Sequence, residues 1–419
     1  MRSNSLKKSL EAVLYNGVAT TSMTTLSGGQ IMIAYAMLLG ASSIDIGIIG
    51  NIGYISIFSH IFSAYLINKG FSVKGISVLF AFVSRLFYLA MALLVFFKSN
   101  YAILILLSCL VLNNLIGGVS GGAFYPWMKT LVPRKILNTF FAKRYKLMMI
   151  ASIICYILSA GIVFIFEKYF PQNVIYAYSI LLLIAFGLGI YGVYTLYIVD
   201  NVKMKTSNEG SFIKKSVNIL KNRSFIYLCY FLGMFYFSRS FILPFFTVFM
   251  LKKMGLEMSL IIGLTIISNL SYVMSTKFLA KYINKKGCGN TLRLGGEFFI
   301  LTISLFLMSM IFNQNIGVLL IIVAHIILGI SQLSTELSLN NMPLLHVPEK
   351  DSPIYLSAIS VFKAICSTVS GILAGLLLTK LEVIYVSASY TWLMFYLVAG
   401  TLFAITIIIS RVIEGKINA

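Results

Sequence analysis

Apolar runs of about 20–30 residues follow one another along this chain, separated by short polar or basic stretches. A helix needs roughly 20 such residues to cross ~30 Å of hydrocarbon, so each run has the length of a membrane span. The runs fall near 12–40, 45–68, 75–97, 101–128, 145–167, 173–199, 224–250, 258–283, 290–313, 316–344, 354–379 and 384–410. Strands of a membrane barrel would be about 10 residues long with alternating polarity, and that pattern does not occur. Inside lipid every backbone polar group needs an internal partner, which leaves helices. Composition agrees: 59% of the 419 residues are hydrophobic and 11% charged, with mean hydropathy +0.93, against roughly 45–50% and about 25% in soluble domains. The expected fold is an all-α membrane protein of twelve transmembrane helices.

The formal charge of +21 raises the question of a nucleic-acid partner, and the position of the charges answers it. If the N-terminus is inside, 25 of the 33 basic residues fall on the cytoplasmic side, among them Lys7, Lys69, Lys74, Lys129, Arg144, Lys286 and Arg293. The opposite side holds Lys98, Lys168, Lys252, Lys253 and Lys380. That asymmetry places both termini in the cytoplasm and reads as topology and contact with anionic lipid, not as a nucleic-acid footprint. The first apolar run is a full span without a small-residue cleavage site, so a retained helix is expected in place of a signal peptide. Cys109, Cys155, Cys229 and Cys366 fall inside spans and Cys288 in a cytoplasmic turn; no pair has metal-ligand or disulfide spacing, so thiols are expected.

The chain repeats itself. Tyr65-Leu66-Ile67-Asn68-Lys69-Gly70 after the second run is matched by Tyr282-Ile283-Asn284-Lys285-Lys286-Gly287 after the eighth. Leu131-Val132-Pro133-Arg134-Lys135 after the fourth is matched by His346-Val347-Pro348-Glu349-Lys350 after the tenth. The spacing implies two bundles of six helices with pseudo-twofold symmetry: residues 1–199, a basic cytoplasmic linker over 200–223, and residues 224–419.

This pattern resembles the major facilitator superfamily over essentially the whole chain, closest to bacterial members of poorly defined substrate. The resemblance is carried by Leu39-Gly40-Ala41-Ser42-Ser43-Ile44-Asp45-Ile46-Gly47, Ser84-Arg85-Leu86 and Trp127-Met128-Lys129-Thr130-Leu131-Val132-Pro133. Phe140-Phe141-Ala142-Lys143-Arg144, the string from Pro244 to Lys252, and Gly255-Leu256 complete it. Two features depart from the family. The loop after the second span, Ile67 to Lys74, keeps its glycine and basic character but lacks the usual acid. The Gly-Pro element that many drug/proton antiporters carry in span 5 is missing from 147–166.

Charge at membrane depth is costly and needs a reason. Arg85, Arg239, Glu297, Glu336 and Lys363 sit inside spans. The resemblance implies that spans 1, 4, 7 and 10 line a central cavity. Arg239 then lies ~22 Å from the cytoplasmic end of span 7, flanked by Tyr230, Phe235, Tyr236, Phe237 and Phe241, where it would hold an anionic or aromatic group of the substrate. Arg239, Tyr236, Tyr230, Asn113, Asn114, Gln30 and Gln332 are the candidate substrate-binding residues. Glu336 and Lys363, at similar depth on spans 10 and 11, are expected to form a buried pair, which reads either as structural glue between the two helices or as a coupling site with Glu336 as the proton carrier and Lys363 as its charged neighbour. Arg85 reads as structural, Glu297 as an i,i+4 partner of Arg293, Asp45 as a first-turn acid at a helix start, and His60 and His325 as packing.

The functional expectation is a secondary active transporter moving a small organic solute by alternating access, proton-coupled, with export favoured over import because the flanking residues are aromatic. Alternatives are a lipid or lysolipid translocator and a transporter-like receptor that binds without flux. No P-loop, Gly-x-Ser-x-Gly elbow or His-rich cluster points to an enzyme. The expected partners are a small-molecule substrate and membrane lipids, with no nucleic acid, cofactor or metal. The expected location is the bacterial inner membrane, with the chain acting as a monomer.

Overall fold

The computed structural model describes residues 2–97, 101–133, 136–202, 223–346, 352–385 and 387–418. The expected linker over 200–223 and the repeated strings at 134–135 and 347–350 therefore lie largely outside the described residues. The described residues form helices and no strand: α1 (Arg2–Ser27), α2 (Gly29–Leu38), α3 (Ser43–Asn51), α4 (Ser59–Asn68), α5 (Val73–Leu93), α6 (Ala102–Leu131), α7 (Leu137–Tyr169), α8 (Val174–Ile198), α9 (Arg223–Lys252), α10 (Met258–Met308), α11 (Gln314–His346), α12 (Ser352–Ile384) and α13 (Ala388–Asn418). Among the described residues, ten helical stretches are long and apolar enough to cross a membrane, which makes this a multi-pass membrane protein.

Ten differs from the expected twelve at two places. The first apolar run breaks at Gly28 and Gly29, between α1 and α2: α2, at 10 residues, is too short to span, and α1, at 26 residues, is long enough but not apolar enough by itself. The eighth and ninth runs join in α10, 51 residues long. A straight helix of that length would measure ~77 Å, more than twice the hydrocarbon thickness. Gly287 resolves the difficulty with φ +82°, outside the helical region and accessible at low cost only to glycine. On α11, Gly329 packs on Ser268 and Ser271 of the first arm of α10. Two residues later, the Ser331 hydroxyl donates to the carbonyl of Gly295 in the second arm, at 2.7 Å. Ser268 and Gly295 would be ~40 Å apart on a straight rod; meeting the same turn of α11 requires α10 to fold back at Gly287.

Contacts divide the chain into two compact units: Met1–Ala41 with Ile52–Asn208, and Ser42–Asn51 with Glu209–Ala419. In the first unit the indole N–H of Trp127, fully buried on α6, donates to the Asp200 carbonyl at 3.0 Å. The Asp200 carboxylate accepts from Ser5 and its N–H donates to Ser9, so the end of α8 is tied to the start of α1. Arg144, one of the basic residues expected on the cytoplasmic side, is drawn into the interior of this unit. It is buried, its Nε donates to the Val13 carbonyl at 3.5 Å, and its guanidinium stands 5.2 Å from the Phe124 ring centre. Gly17 makes the room, since a Cβ there would lie 2.7 Å from Arg144 Nε.

The second unit is built on aromatic stacking. Phe246 of α9 meets Phe306 of α10 at 4.3 Å between ring centres, and Phe299 meets Phe403 of α13 at 4.5 Å. Phe245 and Phe249 of α9 reach Phe395 and Tyr396 of α13 at 5.0 and 5.2 Å. These rings are fully or almost fully buried, where offset and edge contacts add to the burial of a large apolar area. The short helix α3 belongs to this unit and packs on α12 through backbone. A Cβ on Gly47 would sit 2.0 Å from the Gly371 carbonyl oxygen, and one on Gly375 2.5 Å from that of Ser43. Its start is capped reciprocally: Ser42 N–H and hydroxyl donate to the Asp45 carboxylate at 2.8 and 2.6 Å, and Asp45 N–H donates to Ser42 Oγ at 3.3 Å.

Each unit contains counterparts of features in the other. Gly40 and Gly255 both have positive φ, +91° and +64°, as do Gly70 and Gly287, +88° and +82°. Pro126 lies inside α6 near its end, and Pro343 lies inside α11 near its end. The Ser120 hydroxyl donates to the Ser77 carbonyl in the first unit and Ser334 to Thr291 in the second, each bond spanning 43 residues.

Candidate substrate and coupling site

Arg239 lies on α9, five residues before Pro244. Proline has no N–H to give the carbonyl four residues back, so the Ser240 carbonyl loses its helical donor. Asn51 of α3 supplies one, its Nδ2 donating to Ser240 O at 3.3 Å and to Gly47 O at 3.1 Å. The Asn51 amide is thus satisfied at the point where the neighbouring helix loses a backbone hydrogen bond to its proline.

Glu336 of α11 meets Arg239, not Lys363. Arg239 Nη2 stands 3.0 Å from Glu336 Oε1, and the Tyr272 hydroxyl donates to Glu336 Oε2 at 3.0 Å. The carboxylate therefore links α9, α11 and the first arm of α10. The pair is not sealed: the arginine side chain is 16% exposed and the glutamate 41%. Lys363 of α12 instead places its Nζ 4.8 Å from the centre of the Tyr236 ring of α9. The reason is packing order. Although α11 and α12 are consecutive in the chain, α12 packs chiefly on α9 and α3, while α11 packs chiefly on α10.

The aromatics around Arg239 divide between two environments. Phe235 and Phe241 are buried in the core against Phe403 and Phe395, at 6.4 and 5.6 Å. Tyr236 lies beneath Lys363, and Tyr230 is 56% exposed with its ring edge-on to Phe362 at 6.3 Å. Gln332 is half-buried one turn before Glu336, so the two share a face of α11. In the first unit Asn113 is buried and donates to the Tyr88 hydroxyl of α5 at 3.3 Å, joining two helices. Asn114 donates to the Leu110 carbonyl of its own helix at 2.9 Å, and Gln30 is half-buried on α2.

Other candidates resolve simply. Arg85 donates to Ser84 Oγ at 3.0 Å, with Gly189 leaving room for its stem. His325 is buried, with Nδ1 donating to the Ile321 carbonyl at 2.9 Å, and His60 is exposed on α4. Arg293 donates to Asn290 Oδ1 at 3.1 Å, and Glu297 is exposed. No group of three or more metal-ligating side chains gathers among the described residues. Tyr272 and Asn51 were not expected. Tyr272 carries no charge to mark it out, whereas Asn51, an amide in an apolar run, and Pro244 in a span were visible signals whose meeting the sequence does not encode locally.

No protein-family model and no curated protein sequence matches the chain. Solved structures do. A variant of the nucleoside transporter NupG superposes with TM-score 0.75 at 14% identity, over 96% of this chain and 99% of that one. A POT family transporter in complex with a thioalcohol-conjugated peptide gives 0.71 at 14%, over 98% and 96%. A bacterial homologue of the iron transporter ferroportin, inward-facing, gives 0.66 at 11%, over 96% and 98%. With whole-chain coverage on both sides, the chain has the fold of the major facilitator transporters.

Proposed function

We propose that this protein is a secondary active transporter that moves a small organic solute across a bacterial cytoplasmic membrane by alternating access, coupled to protons. The reading takes the chain as a monomer of twelve spans in two six-helix bundles, with both termini in the cytoplasm. The recurrence of positive-φ glycines, in-helix prolines and matched serine bonds at an offset of roughly 215 residues supports an internal duplication. Among the neighbours, one is a nucleoside transporter, and two POT family structures hold a conjugated peptide and 5-aminolevulinic acid, while the ferroportin homologue is related to an iron transporter; the class proposed here is small organic solutes.

One observation carries the reading: an arginine, a carboxylate and a tyrosine from three helices meet at membrane depth and remain partly open. Charge there is expensive unless it is paired or lines a wet route. In the proposed cycle Glu336 takes a proton and releases Arg239, whose guanidinium then engages an acceptor group of the solute; return of the carboxylate to Arg239 and Tyr272 resets the site. Tyr230, Tyr236 and Gln332 contribute apolar and hydrogen-bonding surface within the second unit, and Gln30, Asn113 and Asn114 are the candidate solute contacts within the first. Export is favoured over import by the aromatic character of the site.

Reconstitution into liposomes with an internal pH dye tests this, using a metabolite, peptide and drug panel under an imposed proton gradient. Solute-dependent proton movement is expected in the wild type and in Glu297→Gln, and is expected to vanish in Glu336→Gln. Solute flux indifferent to the gradient in all three proteins would leave the carrier and remove the coupling. Saturable binding without flux would replace both with a receptor.

A further inference from the structure

A groove of about 630 Å³ runs along the first unit between α5 and α8. Its walls are Gly75, Val78, Leu79 and Phe82 on α5 and Ile190, Val193, Tyr194 and Tyr197 on α8. Both sets recur at helical three-and-four spacing, so each is one face of its helix. The groove opens outward: Leu79 and Tyr194 are each 59% exposed. Ser72 and Lys74 close one end. Ser72 caps α5 by accepting from Gly75 N–H at 3.2 Å and donates to Asn201 at 3.1 Å, and Lys74 Nζ stands 5.0 Å from the Tyr197 ring centre. Lys74 forms no salt bridge among the described residues, and the carboxylate of Asp200, next to Asn201, accepts from Ser5.

From Ser72 to Phe82 the helix rises ~15 Å, half of the ~30 Å hydrocarbon core. The groove therefore reaches from the membrane interface to mid-depth, the span of a single leaflet. Apart from the Tyr194 hydroxyl its lining inside that depth is apolar, while its polar end combines the Lys74 ammonium and the start of a helix, both of which favour an anion. Tyr197 adds an amphipathic ring at headgroup level, where tyrosine is favoured.

We propose that this groove is a binding site for an anionic phospholipid, with an acyl chain lying between α5 and α8 and the phosphate held at Lys74. The leaflet is the cytoplasmic one if the orientation proposed above holds; the groove and its lysine do not depend on that orientation, nor on the transported solute.

Native mass spectrometry of the full chain in mild detergent tests the site, with phosphatidylglycerol and phosphatidylcholine titrated separately. Phosphatidylglycerol is expected to remain bound at lower concentration than phosphatidylcholine. Lys74→Gln should weaken phosphatidylglycerol about fivefold, the ~1 kcal/mol expected of one lysine at an anionic surface, without changing phosphatidylcholine. Lys74→Arg should retain the preference, and Lys286→Gln, a basic residue of the second unit, should leave it intact. Leu79→Trp, which fills the groove from an exposed position, should weaken both lipids. Equal binding of the two lipids by the wild type would overturn the proposal. So would a preference that survives both Lys74→Gln and Leu79→Trp.

Discussion

At the scale of single residues, the chemistry of the second unit turns on which cation holds Glu336. Charged neighbours in contact couple by about 0.5–3 kcal/mol, whereas independent positions add within about 0.5 kcal/mol. A double-mutant cycle on thermal or denaturant stability should therefore give measurable coupling between Arg239→Met and Glu336→Gln. The same cycle on Lys363→Met and Glu336→Gln should give coupling near zero. The single variants should differ as well. Glu336→Gln keeps an acceptor for Arg239 and Tyr272, whereas Arg239→Met strands a carboxylate with the tyrosine alone and should destabilise more. Lys363→Met exchanges a partly desolvated ammonium for an apolar chain over Tyr236 and should leave stability unchanged or raise it. Tyr272→Phe removes a hydrogen bond to a charged acceptor, a bond type typically worth ~1.5–3 kcal/mol and here at the low end because the glutamate is exposed on one side.

At the scale of elements, glycines decide how closely helices approach and where one helix becomes two. Gly371→Ala would drive a methyl to within 2.3 Å of Asn51 Nδ2 and of the Gly47 carbonyl oxygen, with backbone on one side that cannot move aside. Overpacking of this kind costs about 1–3 kcal/mol, so the variant should melt lower and loosen α3 from α12. Gly263→Ala on the same unit meets nothing within 4 Å and should be neutral or stabilising by ~0.4–1 kcal/mol. If the two glycine variants melted alike, close packing at the α3–α12 contact would not be the reason for glycine there. Gly287→Ala belongs to a third class: space is open, but φ +82° is strained for a side chain. A cost of about 1–2 kcal/mol is expected, located at the turn of α10.

At the scale of the whole molecule, orientation is open to direct measurement because Cys288 adjoins that turn while the other cysteines lie inside helices. A membrane-impermeant maleimide should label the protein in inverted vesicles and not in intact cells, with Cys288→Ser removing the signal; labelling confined to intact cells would reverse the topology. Much of the architecture was readable in advance. Hydrocarbon thickness imposes a length on every span regardless of what the span packs against, so helical class and the approximate run positions follow from local composition. Basic residues concentrate in alternate loops for an equally local reason, and the turn at Gly287 repeats a string already visible after the second run. The candidate site was readable only as an inventory: Arg239, Glu336 and Lys363 stand out because charge is rare in apolar runs. Their pairing was not, because consecutive helices need not be neighbours, and α12 turns to α9 and α3 instead of α11. Tyr272 joined the carboxylate without any charge to announce it, and Arg144, basic and near a loop, went inward because Gly17 on another helix leaves it space. The sequence by itself determined what must lie in the membrane, since that depends on each segment's own solvation. Only the tertiary structure decided which side chains meet, since that depends on the packing order of helices distant in the chain.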